Sequence, residues 1–262
     1  MGKLSIVGRI FYGIAIAALG FQTIYSKDFP YMLIPAEHTR IPGLVMLAYI
    51  SGTILILAGL SIIFEKGTRP ISLLLGSVLL LIFCFYFIPY EFMTSPNYMQ
   101  WGEWENAEKE LALAAGAFVI AGCFSEKDSN SPLKGFLAKL MPFGTIVFCL
   151  TIICFGIDHF IYGKDAADYI PAWVPYHIFW IYFTGAALTG SGIAIILKIR
   201  PGLFAFLLAT MIFIWVLILH IPKVITAPLA YFGGELSSAF LALAYSGIAY
   251  VIAGANADRG QV

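Results

Sequence analysis

Charge is scarce in this chain: 11% of its 262 residues are Asp, Glu, Lys or Arg, and 15 basic residues cancel 15 acidic ones. A soluble globular domain carries about 25%, so that class is excluded, and a net charge of zero leaves no electrostatic case for nucleic acid. Cysteine is also sparse. Cys84, Cys123, Cys149 and Cys154 all fall inside or at the end of apolar runs, with no CxxC pair, and read as small hydrophobes rather than a disulfide framework. No Walker loop, nucleophile elbow or HExxH occurs, which removes the motif-bearing catalytic classes.

What the chain has is apolar length. Hydrophobic residues make up 60%, aromatics 16%, and mean hydropathy is +0.89. A bilayer core of about 30 Å needs roughly 20 apolar residues per helix. Eight runs qualify, at about 4–25, 43–64, 71–89, 107–124, 141–162, 174–197, 203–221 and 236–255.

One long polar stretch, Ser125 to Lys139, divides them, and the same pattern is written on both sides of it. At a shift of 136, Gly8 and Gly20 fall on Gly144 and Gly156; at 133, Pro42, Gly52, Gly59 and Ile88-Pro89 fall on Pro175, Gly185, Gly192 and Ile221-Pro222. At 132, Thr94, Pro96, Glu103 and the run Val119 to Gly122 fall on Thr226, Pro228, Glu235 and Val251 to Gly254. Matched Gly, Pro and Glu at steady offsets indicate an internal duplication. The expected organisation is an all-α integral membrane protein of eight spans in two parallel-repeat four-helix bundles, 1–124 and 140–262, joined by a connector at 125–139. The likeness of the first span to the fifth argues against a cleaved signal peptide.

Lys and Arg count ten to five in favour of the side holding both termini, which the positive-inside rule makes cytoplasmic. Glycines seven apart in the second and sixth spans share one helix face and read as close packing. Pro89 and Pro222 are expected to end or kink their helices. Arg9 near the cytoplasmic end of the first span reads as snorkelling outward.

Ionisable groups at membrane depth are functional candidates by default. Asp158, His159, His177, His220 and Glu235 all lie about one turn inside the outer surface, and every span of the second half supplies at least one. The first half has Gln22, Thr23, Leu44, Phe87 and Glu103 in those places, so the site is expected in the second bundle alone. His159 and His220 are placed to ligate a haem iron or, with Glu235, a transition metal; alternatively a histidine and a carboxylate bind the oxygens of a quinone. Asp158, about 100° round the helix from His159, is assigned to proton relay or support of the site. The plain alternative is that each histidine bonds a neighbouring helix or a headgroup.

Phe155-Gly156-Ile157-Asp158-His159-Phe160, Ile170-Pro171-Ala172-Trp173-Val174-Pro175, the Thr184-Gly185 step and Glu108-Lys109-Glu110-Leu111-Ala112-Leu113-Ala114 resemble the DoxX-like family of small bacterial membrane proteins. The resemblance covers both halves and is clearer in the second. It implies a four-helix unit, here in tandem, in the bacterial inner membrane, embedded in the lipid bilayer, with quinone-linked redox work beside a redox partner protein. A transporter or channel for a small solute, or a structural subunit without a site, are the other classes left open.

Overall fold

The computed structural model describes residues 2–35, 41–95, 97, 99–124, 132–226 and 234–257. Arg40, Lys127 and Arg259 of the charge count, Pro96 and Pro228 of the repeat, and residues 125–131 of the connector lie outside the described residues. Among those described, every regular element is a helix. Eight are long: α1 Lys3–Ser26, α2 Leu44–Ile63, α3 Thr68–Met93, α4 Glu105–Gly122, α5 Met141–Ile161, α6 His177–Ile196, α7 Pro201–Thr226 and α8 Gly234–Ala257.

Seven of these, among the described residues, are long and apolar enough to cross a membrane. The exception is α4, which opens with Glu105, Glu108, Lys109 and Glu110 and so is not an apolar run of spanning length. It is nonetheless sheathed in protein: the stretch Ala112 to Ala121 is buried throughout. A helix whose sides all meet other helices need not be lipid-like, which is why hydropathy alone separates it from the other seven.

The expectation of two self-contained bundles is corrected by the helix neighbours. α1 packs along α2 and, most extensively, α8; α4 packs along α3 and α5; α4 and α8 meet each other. The terminal helices of each half therefore close against the other half, and one apolar core runs through both, from Tyr12 and Ile16 to Leu113, Phe148, Leu208 and Ile248. The reason is the small-residue edges. A Cβ on Gly247 would lie 2.5 Å from the Gly8 carbonyl oxygen, and one on Gly144 would lie 2.9 Å from that of Ala115. Backbones approach that closely only where side chains are minimal.

Gly52 and Gly59 face α1 in the same way, the former 2.7 Å from the Gly20 carbonyl oxygen, while Gly185 and Gly192 face α5. These glycines pack helices, as their spacing predicts. Neither proline ends its helix. In α3 the segment Phe83–Phe87 and in α7 the segment Val216–His220 widen to a π turn, with Ile88 N–H donating to the Phe83 carbonyl and Ile221 N–H to that of Val216. A widened turn takes up the missing proline N–H and the ring without breaking the helix. Arg9, 4% exposed, does not snorkel: it donates to the Ile62 and Ile63 carbonyls at the end of α2 and pairs with Glu65 at 3.2 Å.

Candidate functional site

The polar groups gather at the end of the helix assembly remote from Lys3, and they gather around α4. Its first turns carry Glu105, Glu108 and Lys109, which spacings of three and four put on one face. Lys109 Nζ pairs with Glu105 at 2.6 Å. Asp158 of α5 lies beside the Trp101 indole and within electrostatic reach of Glu105, Lys109 and Glu108; the Cys154 thiol, one turn earlier, lies beside Glu108. Tyr245 of α8 donates to the Lys109 carbonyl at 3.1 Å and stacks on Phe155, ring centroids 5.7 Å apart.

From Lys109 the network continues into α7. His220 sits in the π turn beside Lys109 and Lys223, and its Nδ1 is buried without a hydrogen-bond partner. Lys223 pairs with Glu235 at 3.7 Å and its ammonium lies 3.7 Å above the Tyr169 ring. Asp158 of α5, Lys109 of α4, His220 and Lys223 of α7 and Glu235 of α8 thus lie in sequence within electrostatic reach of one another.

The five residues singled out from sequence are therefore divided. Asp158, His220 and Glu235 join this run. His159 turns to α6, its Cβ against Gly185, with Nδ1 2.7 Å from the Phe155 carbonyl oxygen of its own helix. His177 Nε2 lies 3.2 Å from the Pro171 carbonyl oxygen in the loop before α6. Among the described residues no three His, Cys, Asp or Glu side chains come together in a way that would hold a metal ion. Asp158 and His159 do point to different neighbours, as their 100° separation requires.

Sequence reasoning missed Trp101, Glu105, Glu108 and Lys109 because it drew the site from the other half, and it passed over Cys154 and Tyr245 within that half. The signal was the one-face spacing of Glu105, Glu108 and Lys109 at the mouth of an otherwise apolar helix. Cys154 belongs to this polar group and Cys84 is exposed, so of the four cysteines Cys149 alone fits the buried-hydrophobe reading fully. The first half is not stripped of ionisable groups either: Glu91 is 4% exposed and Glu110 0%, and both carboxyl oxygens of Glu110 lack a partner. Gln22 is spoken for, exchanging hydrogen bonds of 2.8 and 3.1 Å with Ser237 of α8.

Fold and site together define a multi-helix membrane protein with a polar network at one end of its core. Residues 4–87, which run from α1 through the π turn of α3, match the DoxX family model, so the chain is DoxX-like over that segment. The match falls in the half where the sequence likeness was the weaker. No curated protein and no solved structure matches the chain.

Proposed function

We propose that this is a redox-associated membrane subunit that binds a quinone head group in the polar network of α4, α5, α7 and α8. The observation that carries it is His220 Nδ1, buried in a membrane-embedded helix with nothing to bond. Buried polar atoms are almost always satisfied, so an orphan beside two lysines favours a ligand oxygen there. Haem and metal are less well supported, since His159 and His177 are engaged by backbone carbonyls. Asp158, Glu108 and Cys154 are the groups suited to exchanging protons with such a ligand.

We read the scaffold as a tandem duplication of eight membrane-crossing helices in which α4 crosses inside its neighbours. Several contacts recur at the sequence offsets. Gly8 on Gly247 and Val251 mirrors Gly144 on Ala115 and Val119; Gly20 on Gly52 mirrors Gly156 on Gly185; the two π turns are 133 residues apart. The bacterial inner membrane, cytoplasmic termini and a redox partner protein belong to this reading.

The test is a titration of the purified protein, in nanodiscs, with a tail-less benzoquinone followed by ultraviolet difference absorption. Saturable binding that weakens tenfold or more in His220→Leu supports the reading. No saturable binding, or equal affinity in the variant, overturns it. A second reading, transport of a small solute, is favoured by the unpartnered Glu110 inside the first half, and proteoliposome uptake that fails in Glu110→Leu is its mark.

A further inference from the structure

A groove of about 810 Å³, open to the outside of the helix assembly, lies between α6 and α7. It runs from Trp173 and Trp180 at the network end past Phe183 and Ile214 to Phe204. Along α7, Phe204 to Ile218 corresponds to about 21 Å at 1.5 Å per residue. That is most of the hydrocarbon thickness of a bilayer.

The lining is almost wholly apolar, and Thr210, one of its two hydroxyl residues, is already bonded to the Phe206 carbonyl at 2.8 Å and the Tyr250 hydroxyl at 3.1 Å. Its floor on α6 is made by small residues, Ala186, Ala187 and Gly190; a Cβ placed on Gly190 would meet nothing within 4 Å. Helix faces without side-chain bulk usually receive another helix at close range. Here none of the described helices is received.

At the network end the groove is closed by Trp180 and Trp215, packed edge to face with centroids 6.2 Å apart. Thr184 follows Trp180 by one turn on the same stripe of α6 as Ala187 and Ser191, is 8% exposed, and its hydroxyl has no hydrogen-bond partner. Immediately after Trp215 comes the π turn that carries His220. Thr184 therefore lies on the groove side of the tryptophan pair, and His220 lies beyond it.

We infer that the groove between α6 and α7 is a lateral entry that holds the isoprenoid tail of a neutral-headed lipid, whose head passes Thr184 and the Trp180–Trp215 pair to reach His220. This rests on the quinone reading for the identity of the head. A groove facing acyl chains fills from the bilayer, so its occupant is lipid-soluble. A phospholipid is the poorer fit because carrying its phosphate inward past two indoles would strip a charge of water, whereas an uncharged carbonyl or hydroxyl head crosses at far lower cost and answers the orphan His220 nitrogen behind.

The experiment uses the whole protein in phosphatidylcholine nanodiscs, comparing a long-tailed isoprenoid quinone with the tail-less benzoquinone. Gly190→Leu sets its Cβ in open space and fills the groove with its side chain, so the tailed ligand should lose tenfold or more in affinity while the tail-less one keeps its own. Unchanged affinity for the tailed ligand in Gly190→Leu overturns the groove assignment. Failure of the benzoquinone to bind wild-type protein counts against the head site only. The groove is then judged by photolabelling with a diazirine-bearing isoprenoid alcohol: adducts on α6 and α7 that Gly190→Leu abolishes support it, and adducts elsewhere, or full competition by added phosphatidylcholine, refute it.

Discussion

Replacing Lys109 by methionine removes one charge while keeping the length of the side chain. Its amine pairs with Glu105 at 2.6 Å and stands near Asp158 and His220, and its side chain is 21% exposed against 53% for Glu105. Breaking a fully buried pair by deleting one partner costs about 3–5 kcal/mol, and an exposed pair is worth about 0–1. Lys109 lies between these limits because water reaches Glu105 while Asp158 is half-buried. A loss of about 2 kcal/mol is expected, measured by reversible unfolding in mixed detergent micelles. The double-mutant cycle decides the cause: Asp158→Asn in the Lys109→Met background should restore at least half of that loss, since it removes the carboxylate left unbalanced. A Lys109→Met protein within about 0.5 kcal/mol of wild type, or a cycle in which the two changes simply add, would refute the idea that Lys109 holds the network together.

Two further outcomes follow from backbone geometry. Gly59→Val should destabilise by about 1–3 kcal/mol, because a Cβ there falls 2.5 Å from the Gly13 carbonyl oxygen, whereas Gly190→Ala, where that space is open, should change stability by less than about 0.5 kcal/mol; thermal unfolding of the two variants side by side checks the contrast. Arg200 begins α7 from a left-handed conformation at φ 40° that glycine tolerates better, so Arg200→Gly should stabilise by about 1 kcal/mol, with Gly67→Ala at φ 67° moving the opposite way in the same assay.

Much of the helix plan could be read from the sequence. Apolar runs located seven spanning helices to within a few residues, and seven-residue glycine spacing identified the faces that α1 and α5 press against. The ends of α3 and α7 were misplaced because a proline is a stop signal locally, and only the widened turn before it, a tertiary feature, lets the helix continue to Met93 and Thr226. Arg9 was misjudged for a related reason. Snorkelling supposes lipid beside the side chain, but the neighbour is the exposed carbonyl end of α2, which offers an arginine both backbone acceptors and Glu65.

The site was half legible, and the missing half has one cause. Depth along a span can be counted from the sequence, and it grouped Asp158, His220 and Glu235 with His159 and His177, of which the first three lie in the polar network. Which helices share an interior cannot be counted. It depends on how the small-residue edges of α1 and α4 choose between partners, and both chose the opposite half: Gly8 meets Gly247, and Ala115 meets Gly144. That exchange brings the charged mouth of α4 against Asp158 of α5 and Tyr245 of α8, so residues dismissed with the first half became the centre of the network. On the duplicated reading, the halves then diverged across equivalent interfaces: where α1 and α8 join through the neutral Gln22–Ser237 pair, α5 and α4 join through Asp158, Glu105 and Lys109. One interface holds by hydrogen bonds that need no proton exchange, and the other carries the carboxyl and thiol groups that the proposed chemistry would use to exchange protons.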